Sequence, residues 1–340
     1  MAGTGVDSVD VSVLVPVLDE ERHIREAADT MRAQRFDGEV EFLFIDGGSS
    51  DRTRPILEQL AAEDPRVRVL HNPRRITPVA LNLGLAAASG EVIARMDAHT
   101  HYPPDYLARG VERLRRGGAD HVSGPQLPQG DGTWSRRVAL ALGTRLGTGG
   151  ADFRHLSNDE IEVDSGFTGV WLRSTLERHG GWDEEWMNDQ DTELAARIRA
   201  EGGRIVCLPG MAAGYIPRDS LWRLARQYWR YGFYRAKTSG RHPESMRRSH
   251  VLAPGLVVAL ALALVLPGRL AWPARAAVAA WTAAAIGVSA KELASAGPGD
   301  AASLPLVFAA MHVPWGLGFL FGSLRWGPPL AALARIARGR

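Results

Sequence analysis

The chain has 340 residues, with 40 Lys and Arg against 38 Asp and Glu, so its formal net charge is only +2. That length admits one large α/β domain with an appendage, or two modest domains, and the near-neutral balance gives no electrostatic ground for a nucleic-acid partner. Cys207 is the only cysteine, which excludes an internal disulfide and fits a reducing compartment.

The opening MAGTGVDSVD has no basic n-region followed by an apolar h-region, so it does not read as a secretory signal. Val11–Val17, Glu41–Asp46, Val67–Asn72 and Glu91–Asp97 are short runs rich in Val, Ile and Leu, and read as strands. The segments Glu20–Arg35, Thr53–Ala62 and Pro78–Ala88 between them carry helical patterns. Strand–helix alternation with nearly continuous apolar strands predicts an α/β fold with a mostly parallel sheet, buried on both faces. Right-handed crossovers place the strand C-termini on one edge, where open α/β sheets bind ligands. Pro16, Asp46 and Asp97 all fall at such ends. A further helical pattern, QDTELAARIRAEGG, begins at Gln190.

The character of the chain changes after about Ile216. Ser220–Lys237 repeats Leu221, Leu224, Ala225 and Tyr228 at helical spacing and carries Arg223, Arg226 and Arg230 elsewhere. Such a segment reads as an interfacial helix, or as a helix packed on the preceding domain. Beyond it lie three alanine- and leucine-rich stretches, Val251–Leu266, Ala274–Ala290 and Leu304–Leu324, the last with Trp315 and Trp326 near its ends. Only the third comfortably reaches the roughly 20 residues that cross a bilayer. The expected organisation is a catalytic domain over 9–216, an interfacial segment over 217–250 and a membrane region of about three helical segments over 251–326. Arg247 and Arg248 suggest a cytoplasmic start, and Arg325, Arg335, Arg338 and Arg340 a cytoplasmic end. Three full spans cannot satisfy both.

Asp97 and His99 leave an apolar strand as an acid-x-His pair. A carboxylate oxygen and an imidazole together can hold a divalent cation, the histidine shifting the preference from Mg²⁺ towards Mn²⁺. His101, two residues on, competes for that role. Asp191, about ninety residues later at a helix start, can take a proton, although aspartate is also a favoured helix cap there. This combination suits chemistry on a metal-bound diphosphate. The segment DGGSSD from Asp46 to Asp51 is a turn on physical grounds, and no Gly-Lys-Ser/Thr follows to make it a P-loop.

The order of these pieces resembles the family 2 glycosyltransferases of GT-A fold, in the subgroup that includes the bacterial succinoglycan-biosynthesis glucosyltransferase. The resemblance covers about Val9 to Gly322. VSVLVPVLDEE is similar to the family's first strand and nucleotide-binding loop. By that resemblance Pro16, Val17, Leu18 and Glu20 line the nucleotide-sugar site, with Asp19 completing the acidic pair. FIDGGSSDRT resembles the second signature, which adds Asp46 and Ser49 to the nucleotide side and matches Asp51. Gly47 stands where many members have a second acid that contacts the base. MDAH takes the place of the Asp-x-Asp metal motif, so Asp97 faces the donor and, with His99, the cation (Mn²⁺ or Mg²⁺). WMNDQDTELAARIRAEGGRI resembles the Glu-Asp signature, with Gln190 for the glutamate and Asp191 as catalytic base; Asp189 is its nearest rival. VDSGFTGVWLRS implies an acceptor-side role for Asp164 and Gly169, and QYWRY resembles a Gln-x-x-Arg-Trp motif that places Gln227 and Arg230 beside the acceptor.

What the resemblance implies is a metal-dependent, inverting transferase at the cell membrane, its catalytic domain cytoplasmic. The expected donor is a nucleotide sugar such as UDP-glucose. The expected acceptor is a polyprenyl-diphosphate-linked saccharide in exopolysaccharide or cell-surface glycan synthesis. Alternatives are transfer directly to polyprenyl phosphate, processive synthesis, and a non-catalytic nucleotide-sugar-binding partner of an export assembly.

Overall fold

The computed structural model describes residues 9–149, 159–166 and 168–339. The start of the N-terminal segment read above (residues 1–8) and Phe167 of the acceptor-side motif lie outside the described residues. In chain order the elements are β1 (Val11–Val17), α1 (Ile24–Arg32), β2 (Val40–Asp46), α2 (Thr53–Glu63), β3 (Val67–His71), α3 (Thr77–Ala87) and β4 (Val92–Arg95). There follow β5 (Thr100–His101), α4 (Tyr106–Arg115), β6 (His121–Ser123), β7 (Gln126–Pro128), α5 (Thr133–Leu142) and α6 (Arg145–Thr148). Then come β8 (Ile161–Glu162), β9 (Gly169–Leu172), α7 (Arg173–Arg178), α8 (Gln190–Ala200), β10 (Ile205–Cys207) and β11 (Ala213–Tyr215). The remainder is helical: α9 (Leu221–Arg241), α10 (Leu252–Val265), α11 (Trp272–Ala296), α12 (Pro298–Ala302), α13 (Leu304–Trp326) and α14 (Leu330–Ala337).

Two units result. Residues 9–127 and 159–215 form one, and 128–149 and 216–339 the other. The first is therefore discontinuous, which differs from the continuous 9–216 expected above: α5 and α6 belong with the C-terminal helices.

In the first unit eight strands run in the order β3-β2-β1-β4-β9-β6-β10-β8, and a small sheet runs β5-β11-β7. Strands β3, β2, β1 and β4 are parallel, as their continuous apolar sequences predict. The sheet as a whole is mixed, because β9 enters antiparallel between β4 and β6. Side-chain alternation divides the core. Val11, Val13 and Val15 of β1 pack with Ile24 and Met31 of α1 and Leu57 and Leu60 of α2 on one face. Leu14 of β1 and Leu43 and Ile45 of β2 pack with Leu81 of α3, Leu176 of α7 and Leu194 and Ile198 of α8 on the other. A sheet covered on both faces leaves its strand ends as the open edge, and the register brings Val17 level with Asp46 there.

In the second unit α13 packs through glycines. A Cβ at Gly318 would fall on the Trp229 carbonyl of α9, at Gly322 on that of Phe233, and at Gly316 on that of Ala253 in α10; Gly232 of α9 meets the Trp315 carbonyl in the same way. Gly318 and Gly322 are four apart, the small-residue spacing by which apolar helices approach closely. His312 of α13 accepts from Trp281 Nε1 at 3.0 Å through Nδ1. Its Nε2 therefore carries the proton and donates to the Leu146 carbonyl at 3.1 Å, tying α6 to α11 and α13. Arg137 of α5 donates to Asp300 at 2.9 Å.

Among the described residues two segments, Arg248–Val265 and Pro298–Trp326, are long and apolar enough to cross a membrane. The first reaches that length because a 3-10 turn over Arg248–Val251 leads directly into α10. The middle stretch expected above is a 25-residue helix, α11, but it carries Arg275, Lys291 and Glu292 and does not qualify.

Replacement of Gly232 by leucine is expected to wedge α9 from α13. Overpacking costs about 1–3 kcal/mol, so the thermal midpoint of the detergent-solubilised protein falls, whereas leucine at Gly240, which has open space around its Cβ position, leaves it unchanged.

Candidate active site

The loops after β1 and β2 are locked together at the open edge by hydrogen bonds between side chains and backbone. Asp19 N donates to Ser49 Oγ at 3.0 Å, Glu20 N to Thr53 Oγ1 at 2.8 Å and Glu21 N to Asp51 Oδ2 at 3.1 Å. In return Ser50 N donates to Asp19 Oδ1 at 2.6 Å and Arg52 N to Glu21 Oε2 at 3.0 Å. Asp19 takes φ 54 to make these bonds, a left-handed conformation that aspartate tolerates better than most residues. Pro16, Val17, Leu18, Glu20, Asp46 and Ser49 are thus brought to one edge.

Asp46 is 2% exposed, and its Oδ1 accepts from Ser49 N at 3.1 Å and Ser49 Oγ at 2.7 Å, with Arg54 3.8 Å from Oδ2. In this structure Asp46 organises the turn. Gly47 N donates to the Val17 carbonyl at 2.8 Å, and a Cβ at Gly47 would sit 3.3 Å from Leu18 Cδ1 and 3.4 Å from that carbonyl.

Asp97 lies two residues beyond β4. Its backbone N donates to Tyr102 Oη at 2.7 Å, its Oδ1 accepts from Arg95 Nε at 3.0 Å, and the carboxylate keeps 12% of its surface exposed. His99 Nδ1 faces Glu20 Oε1 at 3.1 Å. A carboxylate partner on one ring nitrogen places the proton there and the lone pair on Nε2, the orientation of a metal-binding histidine. The donor set, a hard carboxylate with an oriented imidazole, fits a divalent cation. No group of three or more His, Cys, Asp or Glu that could hold a metal is present among the described residues, so the remaining positions would fall to ligand oxygens, as is usual for cations on phosphates. His101 Nε2 stands 3.7 Å from Glu26, on α1.

At the start of α8 the cap position belongs to Asp189, at φ 65 and with no side-chain cap bond. Asp191 lies inside the first turn, and its carboxylate pairs with Arg95 Nη1 and accepts from Gln190 Nε2 at 3.2 Å. Gln190 thus donates where the family's glutamate would add a like charge. Burial raises the Asp191 pKa; Arg95 opposes the rise, while Asp97 and Asp189 add to it, and the group is pushed up to about 7. Glu193 does more than compensate the helix dipole: fully buried, it accepts from Arg197 Nε at 2.9 Å, clasping α8.

Arg95 was given no role by sequence. Its signal is a charged residue inside the apolar run VIAR: Val92, Ala94 and Met96 face one core, Ile93 the other, and Arg95 continues the Ile93 side, that of α8. Gly169 pairs with Arg95 across β4 and β9. It takes φ 139, and a Cβ there would meet His121 Nε2 at 2.8 Å. Asp164, in contrast, is 3.5 Å from Arg199 near the far end of α8, about two turns from Asp191. Gln227 and Arg230 lie on α9 in the other unit, where Gln227 Nε2 donates to Tyr231 Oη at 2.7 Å.

Comparison with known proteins now assigns the family. The profile of glycosyl transferase family 2 matches residues 12–180. The succinoglycan biosynthesis protein ExoA of Rhizobium meliloti is 31% identical over 332 residues, 94% of this chain and 96% of that one. The beta-monoglucosyldiacylglycerol synthase of Trichormus variabilis is 29% identical over 66% of this chain and 49% of its own. Among solved structures, the mannosyltransferase PcManGT from Pyrobaculum calidifontis, in complex with GDP-Man and Mn²⁺, superposes with a TM-score of 0.53 at 23% identity, covering 96% of this chain and 86% of that one; this likeness is one of fold, GT-A. The chain belongs to the family 2 glycosyltransferases and is an enzyme of that family.

Proposed function

We propose that the chain transfers a hexose, with inversion, from a nucleotide sugar such as UDP-glucose to a lipid-linked saccharide in exopolysaccharide or cell-surface glycan synthesis. The observation that carries this reading is the meeting of Asp97 and Asp191 on one guanidinium, Arg95, which sets a donor-side carboxylate beside a helix-borne carboxylate able to accept a proton. The interlocked loops after β1 and β2 support a nucleotide site next to it. The relative's role in succinoglycan biosynthesis supports the exopolysaccharide assignment.

In the proposed reaction Asp191 removes the proton of the acceptor hydroxyl. The freed oxygen pair forms the bond to the anomeric carbon from the face opposite the leaving group, and the bond from that carbon to the diphosphate oxygen breaks, its electrons departing with the nucleotide. A carboxylate whose pKa is raised by burial is suited to accept that proton near neutral pH. Asp97 and His99 would hold the cation, with Glu20 fixing the imidazole. When bound, that cation neutralises charge developing on the diphosphate. Asp46 and Ser49 shape the nucleotide loop.

Attachment to a bilayer is supported by the exposure of apolar side chains on the two long apolar segments. Leu264 is 87% exposed and Leu324 83%, whereas a core helix of a water-soluble protein buries such residues. A lipid-linked acceptor would be presented at the cell membrane, with the catalytic unit on the cytoplasmic side, where nucleotide sugars are made.

Asp97→Asn is expected to abolish most turnover and to weaken Mn²⁺ binding measured by EPR in the presence of UDP; unchanged Mn²⁺ affinity contradicts the metal assignment. Asp191→Asn is expected to lower kcat by about a hundred- to ten-thousand-fold with UDP affinity unchanged, whereas Asp189→Asn stays near wild type. Activity of Asp191→Asn with a saccharide acceptor removes the base, and an already ionised lipid phosphate becomes the better acceptor.

The base works only when ionised. With its pKa at about 7, the wild-type rate should fall about tenfold per pH unit below neutrality and level off above it. A flat profile down to pH 5.5 would contradict this.

A further inference from the structure

We propose that Arg95 is a positioning residue that sets the base against the donor site, one guanidinium gripping Asp97 through Nε and Asp191 through Nη1. The inference rests on the proposed roles of those two carboxylates and adds a residue that the sequence motifs do not assign.

The position argues for it first. Arg95 ends β4, an interior strand between β1 and β9, paired with Leu14 on one side and Gly169 on the other. Its side chain is 5% exposed, and the preceding residue on its face, Ile93, is part of an apolar core. Packing alone would place a valine or isoleucine there. A buried guanidinium costs stability unless its charge and donors are matched, and here the matching comes from Asp97 at 3.0 Å and from Asp191.

Geometry argues second. Asp97 belongs to a strand end and Asp191 to the first turn of a helix 94 residues further on, so neither local structure fixes the distance between them. Guanidinium is planar and rigid, with donors on two edges, and a single Arg95 side chain converts two independent carboxylates into one unit of fixed separation. The reaction requires that unit, because the hydroxyl oxygen activated by Asp191 must arrive in line with a bond whose leaving group is held from the Asp97 side. Opposite Arg95, Gly169 pairs with it across β4 and β9, and its missing side chain lets β6 close on β9 there. Lysine would not reproduce the grip: its ammonium is a compact point charge on a flexible stem, without the planar fork that fixes the separation of the two carboxylates.

The test uses the full-length chain in detergent, with kcat, donor KM and thermal midpoint measured for Arg95→Lys, Arg95→Met, Asp191→Asn and the Arg95→Lys/Asp191→Asn double variant, and Mn²⁺ binding with UDP followed by EPR. Misplacing a catalytic group by about 1 Å costs roughly a hundredfold, and that loss in kcat is expected for Arg95→Lys, with donor KM and Mn²⁺ affinity within about threefold of wild type. Acting through Asp191, the lysine substitution should add less than about twofold to the loss already present in Asp191→Asn. Arg95→Met should be at least as slow; if it fails to fold, the lysine variant and the double variant decide. Wild-type kcat in Arg95→Lys, a loss confined to KM or Mn²⁺ binding, or losses that multiply in the double variant would each overturn the proposal. Wild-type turnover in Asp191→Asn would instead overturn the base assignment itself, so the two failures are read from different variants.

Discussion

A buried arginine between two carboxylates is the constraint around which the catalytic unit is arranged. Arg95 holds Asp97 and Asp191 inside a sheet whose neighbouring positions are apolar, and each element around it has a reason to be where it is. Strand β9 runs antiparallel beside β4, and the residue opposite the arginine is Gly169, where a side chain would strike His121 and the Val122 carbonyl of β6. Helix α8 reaches the strand ends with its first turn, so Asp191 meets Arg95 while Asp189 takes the left-handed cap. Burial, which does most to raise the Asp191 pKa, is also what makes a carboxylate useful as a base.

The side proposed to hold the donor is built differently. It depends on turns that would be loose by themselves and that become rigid by exchanging hydrogen bonds: Asp19 with Ser49 and Ser50, Glu20 with Thr53, Glu21 with Asp51 and Arg52. The acids of these loops therefore serve first as internal partners. Asp46, satisfied by Ser49, is an anchor of the turn, and the Gly47 N–H ties the same turn to the Val17 carbonyl. Glu20 holds His99 and so links the loop after β1 to the residues proposed to bind the cation.

Much of this was legible from sequence because it is local. Continuous apolar runs identified β1 to β4, and strand ends placed Asp46 and Asp97 on one edge. What sequence did not reveal depends on contacts between distant segments. The antiparallel insertion of β9 makes the sheet mixed, and no short window of sequence encodes it. Helices α5 and α6 lie within the span of the catalytic domain but join the C-terminal helices, through the Leu146 carbonyl to His312 and Arg137 to Asp300. Asp164, expected on the acceptor side, lies 3.5 Å from Arg199, about two turns along α8 from Asp191, a distance that the motif alone does not give. Arg95 was visible as a charge in an apolar strand, but its significance appears only when Asp191 is seen beside it.

The central claim is that a base delivered by α8 activates the acceptor on the face of the sugar opposite the leaving nucleotide. The most direct measurement is the anomeric configuration of the first product, read by proton NMR after transfer from an α-linked UDP-sugar to a membrane lipid extract. The account predicts a β linkage. An α linkage would mean retention, and would contradict the proposed role of Asp191 as the base of an inverting transfer.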